Sequence, residues 1–221
     1  MKNLLLFILF SPIGFLSAQV TYLESDLNLT KHKENDMKFW DLSVNENFQF
    51  SIIDLWLQDK NENKFRFGDM LGAKGGVGIG RYTKLQPEKD GHFNIAVNFA
   101  LMGGAFVGYK TDVFGLFYKY QREVFASIHL QNPANYAYYS NVNTVSFIYK
   151  NRHQGDVCIG TPVPKKLEND DQYKLMRFTY KYYTGDDEGS MKDYMGFAVE
   201  LVDKNNAKAF NTYSFLGGFT F

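Results

Sequence analysis

The stretch Tyr213-Ser214-Phe215-Leu216-Gly217-Gly218-Phe219-Thr220-Phe221 decides the fold class. In an extended chain Tyr213, Phe215, Gly217, Phe219 and Phe221 share one face, while Ser214, Gly218 and Thr220 share the other. One face is therefore aromatic and the other small and polar, which is the period of a strand. The sequence then stops on a bare phenylalanine. A soluble strand gains little from an exposed terminal Phe, whereas a membrane strand uses it at the lipid interface.

This nine-residue stretch resembles the C-terminal strand of Gram-negative outer-membrane β-barrel proteins. The resemblance implies that Tyr213, Phe215, Phe219 and Phe221 are a barrel-insertion signal. It also implies the cell outer membrane as the address, with outer-membrane lipids and the barrel-assembly machinery as partners.

The opposite end of the chain agrees with export. Met1-Lys2-Asn3 gives a short positive start, Leu4 to Phe15 is an apolar run broken by Ser11, Pro12 and Gly14, and Ser17-Ala18 offers a small-residue cleavage site. Residues 1–18 are expected to be a signal peptide, since the run is too short and interrupted to span a bilayer. Their removal would leave 203 residues with 23 basic and 24 acidic side chains, which fits one domain. Near-neutrality gives no footprint for nucleic acid. The single cysteine, Cys158, excludes an intramolecular disulfide.

Composition narrows the class further. The chain is 17% aromatic, with 21 Phe and 15 Tyr, yet its mean hydropathy is −0.32. Alternating strands reconcile these values, because every second residue is small or polar.

Residues 19–45 contain the charge cluster Lys31-His32-Lys33-Glu34-Asn35-Asp36 and no sustained period, and are expected to be a periplasmic N-terminal segment. Residues 46–221 are then the barrel. Strand patterns run over 47–58, 65–84, 93–101, 112–120, 143–150, 173–183, 193–202 and the C-terminal stretch. In the first, Phe48, Phe50 and Ile52 yield to Ile53, Leu55 and Leu57, a change of parity that predicts a bulge at Ile52-Ile53. Glycine recurs at period two from Gly72 to Gly80, as at a curved wall where backbones approach closely. Gly103-Gly104 turns or bends the chain, 123–130 extends a strand or forms its own, 136–139 is a tyrosine-rich loop, and 157–159 is a stub.

The clearest pattern sets Phe93, Ile95, Val97, Phe99 and Leu101 against His92, Asn94, Ala96, Asn98 and Ala100. A water-facing side would carry more Lys, Glu and Thr, so the apolar side is expected to face lipid and the small, polar side the lumen. The fold class is thus an all-β, transmembrane, antiparallel up-and-down barrel of eight strands, with ten as the alternative.

Lys74, Asn94, Asn98, Lys119, Lys150, Arg177, Lys181 and Glu200 are expected to form a polar lumen cluster. An eight-stranded barrel is filled by its own side chains, which predicts a plugged interior. Ser127 and His129 share a strand face and are the only catalytic candidates, although no partner acid or oxyanion site is legible beside them. No metal spacing joins the histidines and no cofactor is implied. The function expected is a non-catalytic outer-membrane barrel in envelope structure, or an accessory subunit alongside other outer-membrane proteins. Alternatives are a lipid-modifying barrel enzyme and a secreted soluble barrel with its aromatic face turned inward onto an apolar ligand.

Overall fold

The computed structural model describes residues 19–34, 37–58, 64–84, 93–130, 136–163, 173–184, 192–205 and 207–220. The expected signal peptide and Phe221 lie outside them.

The strands are β1 (Gln19–Glu34), β2 (Met37–Ser51), β3 (Asp54–Gln58), β4 (Lys64–Lys84), β5 (Phe93–Lys110) and β6 (Phe114–His129). They continue with β7 (Tyr136–Tyr149), β8 (His153–Pro162), β9 (Tyr173–Tyr183), β10 (Lys192–Lys204) and β11 (Ala207–Thr220). Every pairing among the described residues is antiparallel, and each wall strand pairs with the next in sequence. The sheet closes through β1 and β11, with Leu23 opposite Phe219 and Leu29 opposite Tyr213. Closure gives every wall strand a neighbour on both sides, except that the short β3 is paired on one side, with β4, among the described residues.

β2 and β3 both pair with β4, so they are one wall strand interrupted at Ile52-Ile53. The interruption falls where the parity change predicted a bulge, and its exposed backbone is held by one side chain. Asp69 Oδ1 accepts the Ile52 and Ile53 amides at 2.9 and 2.5 Å and the Ser51 hydroxyl at 3.0 Å. The eleven elements therefore make ten staves, not the eight preferred from sequence.

Two staves account for the difference. Residues 19–45 are not a separate segment but β1 and most of β2, built into the wall. The stub at 157–159 is the middle of β8. Residues 123–129 extend β6, and Gly103-Gly104 lies within an unbroken β5. The tyrosine-rich stretch is no loop, because β7 starts at Tyr136 and Tyr138 turns inward to stack on Phe125 with centroids 5.1 Å apart.

Glycine permits the tight fit between β2 and β4. A Cβ added at Gly76 would lie 2.2 Å from Asn45 Oδ1 and 2.4 Å from the Val44 carbonyl oxygen, so the inner faces of these strands meet only because no side chain stands there.

The faces fall as expected of a wall with its apolar side toward lipid and its small, polar side toward the lumen. Along β5, Phe93, Ile95, Val97, Phe99 and Leu101 are exposed on the outside, while Asn94, Ala96, Asn98 and Ala100 are buried inside. β1 repeats this with Leu23, Leu27 and Leu29 outward against buried Glu24, Asp26, Asn28 and Thr30. A belt of outward Phe, Leu, Ile, Val and Tyr runs round the wall, far beyond the apolar patches of water-facing proteins. The soluble alternative, which needs the aromatic face inward, does not fit this arrangement.

Candidate functional site

The interior is a polar lattice interrupted by apolar clusters. Its inward side chains come from alternate residues of every wall strand and surround a cavity of about 400 Å³.

On one side, Asp26 of β1 is the hub. It pairs with Lys74 of β4 and accepts hydrogen bonds from Asn45 at 2.6 Å and Asn28 at 2.7 Å. Asn98 of β5 donates to Asn45 at 3.0 Å, and Ser127 of β6 donates to Asn98 at 2.8 Å. A continuous polar chain thus crosses from β1 to β6. Near the end of the barrel holding Gln19 and Thr220, Lys181 of β9 pairs with Glu24 of β1 at 2.9 Å. Tyr194 donates to the same carboxylate at 2.7 Å, and the Lys181 ammonium lies 4.4 Å from the Tyr194 ring centroid.

A third group is centred on Arg177 of β9. It pairs with Glu200 of β10 and lies 3.8 Å from Glu123 of β6, across β7 and β8. Tyr138 donates to Glu123 at 3.3 Å. Beyond it, toward the end remote from the termini, Val142, Tyr173, Leu175, Val202, Ala209 and Phe210 pack into an apolar plug with Tyr138 and Cys158. A smaller cluster of Tyr183, Tyr194, Ala198 and Leu216 narrows the other end.

Of the expected lumen residues, Lys74, Asn98, Lys119, Arg177, Lys181 and Glu200 line the cavity, and Asn94 is buried on the same inner face. Lys150 is a correction. It sits in the turn after β7 with φ 50°, exposed, its ammonium 5.4 Å from the Tyr149 ring centroid, because the left-handed turn carries it off the strand face. Tyr213, Phe215 and Phe219 face outward on β11.

Sequence reasoning found mostly the bases and missed their acids, Glu24, Asp26 and Glu123. The signal was present in the alternation of Leu23, Leu27 and Leu29 with Glu24, Asp26 and Asn28, masked by the charge cluster that follows. The apolar plug was missed because its members come from strand ends, where alternation fades.

Ser127 and His129 are brought together, with Ser127 Oγ 3.1 Å from His129 Nε2, both 2% exposed. The Ser127 proton is directed to Asn98 Oδ1, so the imidazole Nε2–H is the donor to Ser127 Oγ. A general base would need the opposite polarity. Among the described residues no group of three or more His, Cys, Asp and Glu side chains could hold a metal ion.

No family model matches the chain, and no curated protein matches it in sequence. Among solved structures, it is similar to the transport unit of the autotransporter AIDA-I from Escherichia coli at 12% identity, covering 100% of this chain and 96% of that one, with a TM-score of 0.43. It is also similar to the beta domain of the Bordetella autotransporter BrkA at 10% identity, covering 92% and 100%, TM-score 0.44. The translocator domain of the autotransporter NalP from Neisseria meningitidis is a third, at 8% identity over 100% and 96%, TM-score 0.34.

Proposed function

We propose that this chain is an outer-membrane β-barrel that works through its wall and loops rather than through its lumen, as a structural component or accessory subunit of the envelope. The observation that carries this reading is the pairing of charges between non-neighbouring strands, Lys181 with Glu24 and Arg177 with Glu123, beneath an apolar plug. A diffusion pore keeps a wet, open bore, whereas here Glu24, Asp26, Glu123, Arg177, Lys181 and Glu200, which could coordinate a solute, are committed to one another or to neighbouring lumen side chains. Outer-membrane lipids cover the apolar belt, and the outward Tyr213, Phe215 and Phe219 form, with Phe221 after them in sequence, the aromatic signal offered to the barrel-assembly machinery. Other outer-membrane proteins are the partners left for the wall.

The test combines fractionation with electrical recording. The protein is expected in the detergent-requiring outer-membrane fraction, with a gel mobility that shifts on boiling, and to give no steady conductance in a planar bilayer. A large, persistent conductance of the wild-type barrel would overturn the closed-lumen reading.

A further inference from the structure

Two opposite charges stand on the outer wall, each near the middle of its strand and each flanked by apolar residues. Glu46 of β2 points outward between Val44 and Phe48. Its two carboxylate oxygens each lie 2.8 Å from the Ser25 hydroxyl of β1, and no cation among the described residues pairs with it. Small residues flank this pair across the ladder, Gly75 opposite Glu46 and Gly217 opposite Ser25, and the space beside each glycine is open. On the β1 side of Glu46 a shallow notch opens around Ser25 and Gly217, edged by Leu23, Leu27, Val44, Phe215 and Phe219.

Arg122 of β6 points outward between Tyr120 and Val124. Its guanidinium lies beside the Tyr120 and Tyr139 side chains, and no carboxylate among the described residues pairs with it. Tyr120 donates to Asn141 at 3.0 Å and Tyr118 to Asn143 at 2.5 Å, so the guanidinium rises from a polar island in an otherwise apolar wall.

Charge facing acyl chains at mid-depth is strongly disfavoured and marks a site with a partner. Here the two walls carry complementary halves, an exposed carboxylate beside a notch and an exposed guanidinium. A planar guanidinium can donate twice to one carboxylate, and that pairing is strongest where water is absent. Given the membrane reading above, we propose that copies of this chain associate side by side in the membrane, Arg122 of one copy meeting Glu46 of the next beside this notch. β4 and β5 separate the two patches round a curved ten-stave wall, so a neighbouring barrel cannot sit against both at once, and the contact repeats head-to-tail in rows or rings.

Cysteine cross-linking in native membranes tests the contact through flanking residues. A V44C/V124C variant treated with a short thiol cross-linker should give a ladder of multimers, and neither single variant should. Adding E46K should cut the ladder about tenfold, equivalent to a lost interaction of moderate strength, and E46K with R122E should restore it. Every variant is checked for its boiling shift. A heat-shifting barrel with no ladder, or a ladder indifferent to E46K, overturns the association alone. Protein recovered in the soluble fraction without a shift would instead sink the membrane reading on which it rests.

Discussion

The Lys181 ammonium lies 2.9 Å from the Glu24 carboxylate, joining β9 to β1 across the inward faces of β10 and β11. Both side chains are almost wholly buried, at 7% and 8% exposure, so neither charge can relax into water if its partner is removed. Glu24→Ala is therefore expected to lower unfolding stability by about 3 kcal/mol, because it strands a buried ammonium. Glu24→Leu with Lys181→Met should recover much of that loss, since a packed apolar pair avoids the desolvation cost. Denaturant titration of the folded band in lipid vesicles reads both values. Equal stability of Glu24→Ala and wild type would show that the pair is solvated.

Gly75 and Gly76 are adjacent in sequence and opposite in consequence. At Gly76 a methyl group would collide with Asn45 and the Val44 carbonyl, whereas at Gly75 nothing lies within 4 Å. Gly76→Ala should force β2 and β4 apart at a cost of about 1–3 kcal/mol. Gly75→Ala should stay within about 0.5 kcal/mol of wild type. The fraction of folded protein after refolding into vesicles separates the two, and a reversal of their order would mean that the inner and outer faces of β4 are exchanged.

These adjacent glycines also show what a sequence reveals and what it hides. The β4 glycine period and the β5 alternation of Phe93 to Leu101 gave the curved wall and its lipid face directly, because period two is a local property of the chain. The parity change at Ile52-Ile53 likewise located the bulge. Long-range pairing is not local. Nothing next to Glu24 or Asp26 announces Lys181 or Lys74, 48 residues away in the second case, so a run of acids facing a lumen looked like solvated leader. The charged inner face of β1 thereby disguised a stave, and the short β8 passed for a stub. Lys150 failed for a different reason. It continues the alternation of β7 by count, but a left-handed turn begins at that residue.

Asp69 ties off the bulge between β2 and β3. Its Oδ1 accepts two successive backbone amides, and the one Ser51 hydroxyl proton is shared between this oxygen at 3.0 Å and the Ile53 carbonyl oxygen at 2.8 Å. Asp69→Ala leaves those amides without their acceptor, at a cost of about 1–3 kcal/mol. Asp69→Asn retains an acceptor oxygen and should lose less. Amide hydrogen exchange at Ile52 and Ile53 is the direct measurement, with faster exchange in Asp69→Ala confined to this bend. Unchanged protection there would mean that another group holds the amides.

The apolar plug supplies the sharpest test of how the lumen is closed. Phe210, Leu175 and Val202 are each no more than 3% exposed and pack together from β11, β9 and β10 at the end remote from the termini. They hold shape by contact alone, so truncation leaves a void that the surrounding strands, fixed by their ladders, cannot fill. Phe210→Ala with Leu175→Ala should join this void to the cavity of about 400 Å³ beneath it. Water should enter, because the cavity is lined by Asp26, Lys74, Glu123 and Arg177, all able to bind it. Brief conductance steps in a planar bilayer are then expected from the double variant and not from wild type. The ion-pair lattice should still limit their size, so adding Glu123→Gln, which removes one of the two acids facing Arg177, should enlarge them. A silent double variant that keeps its boiling shift would place the closure in the charged lattice and not in the plug.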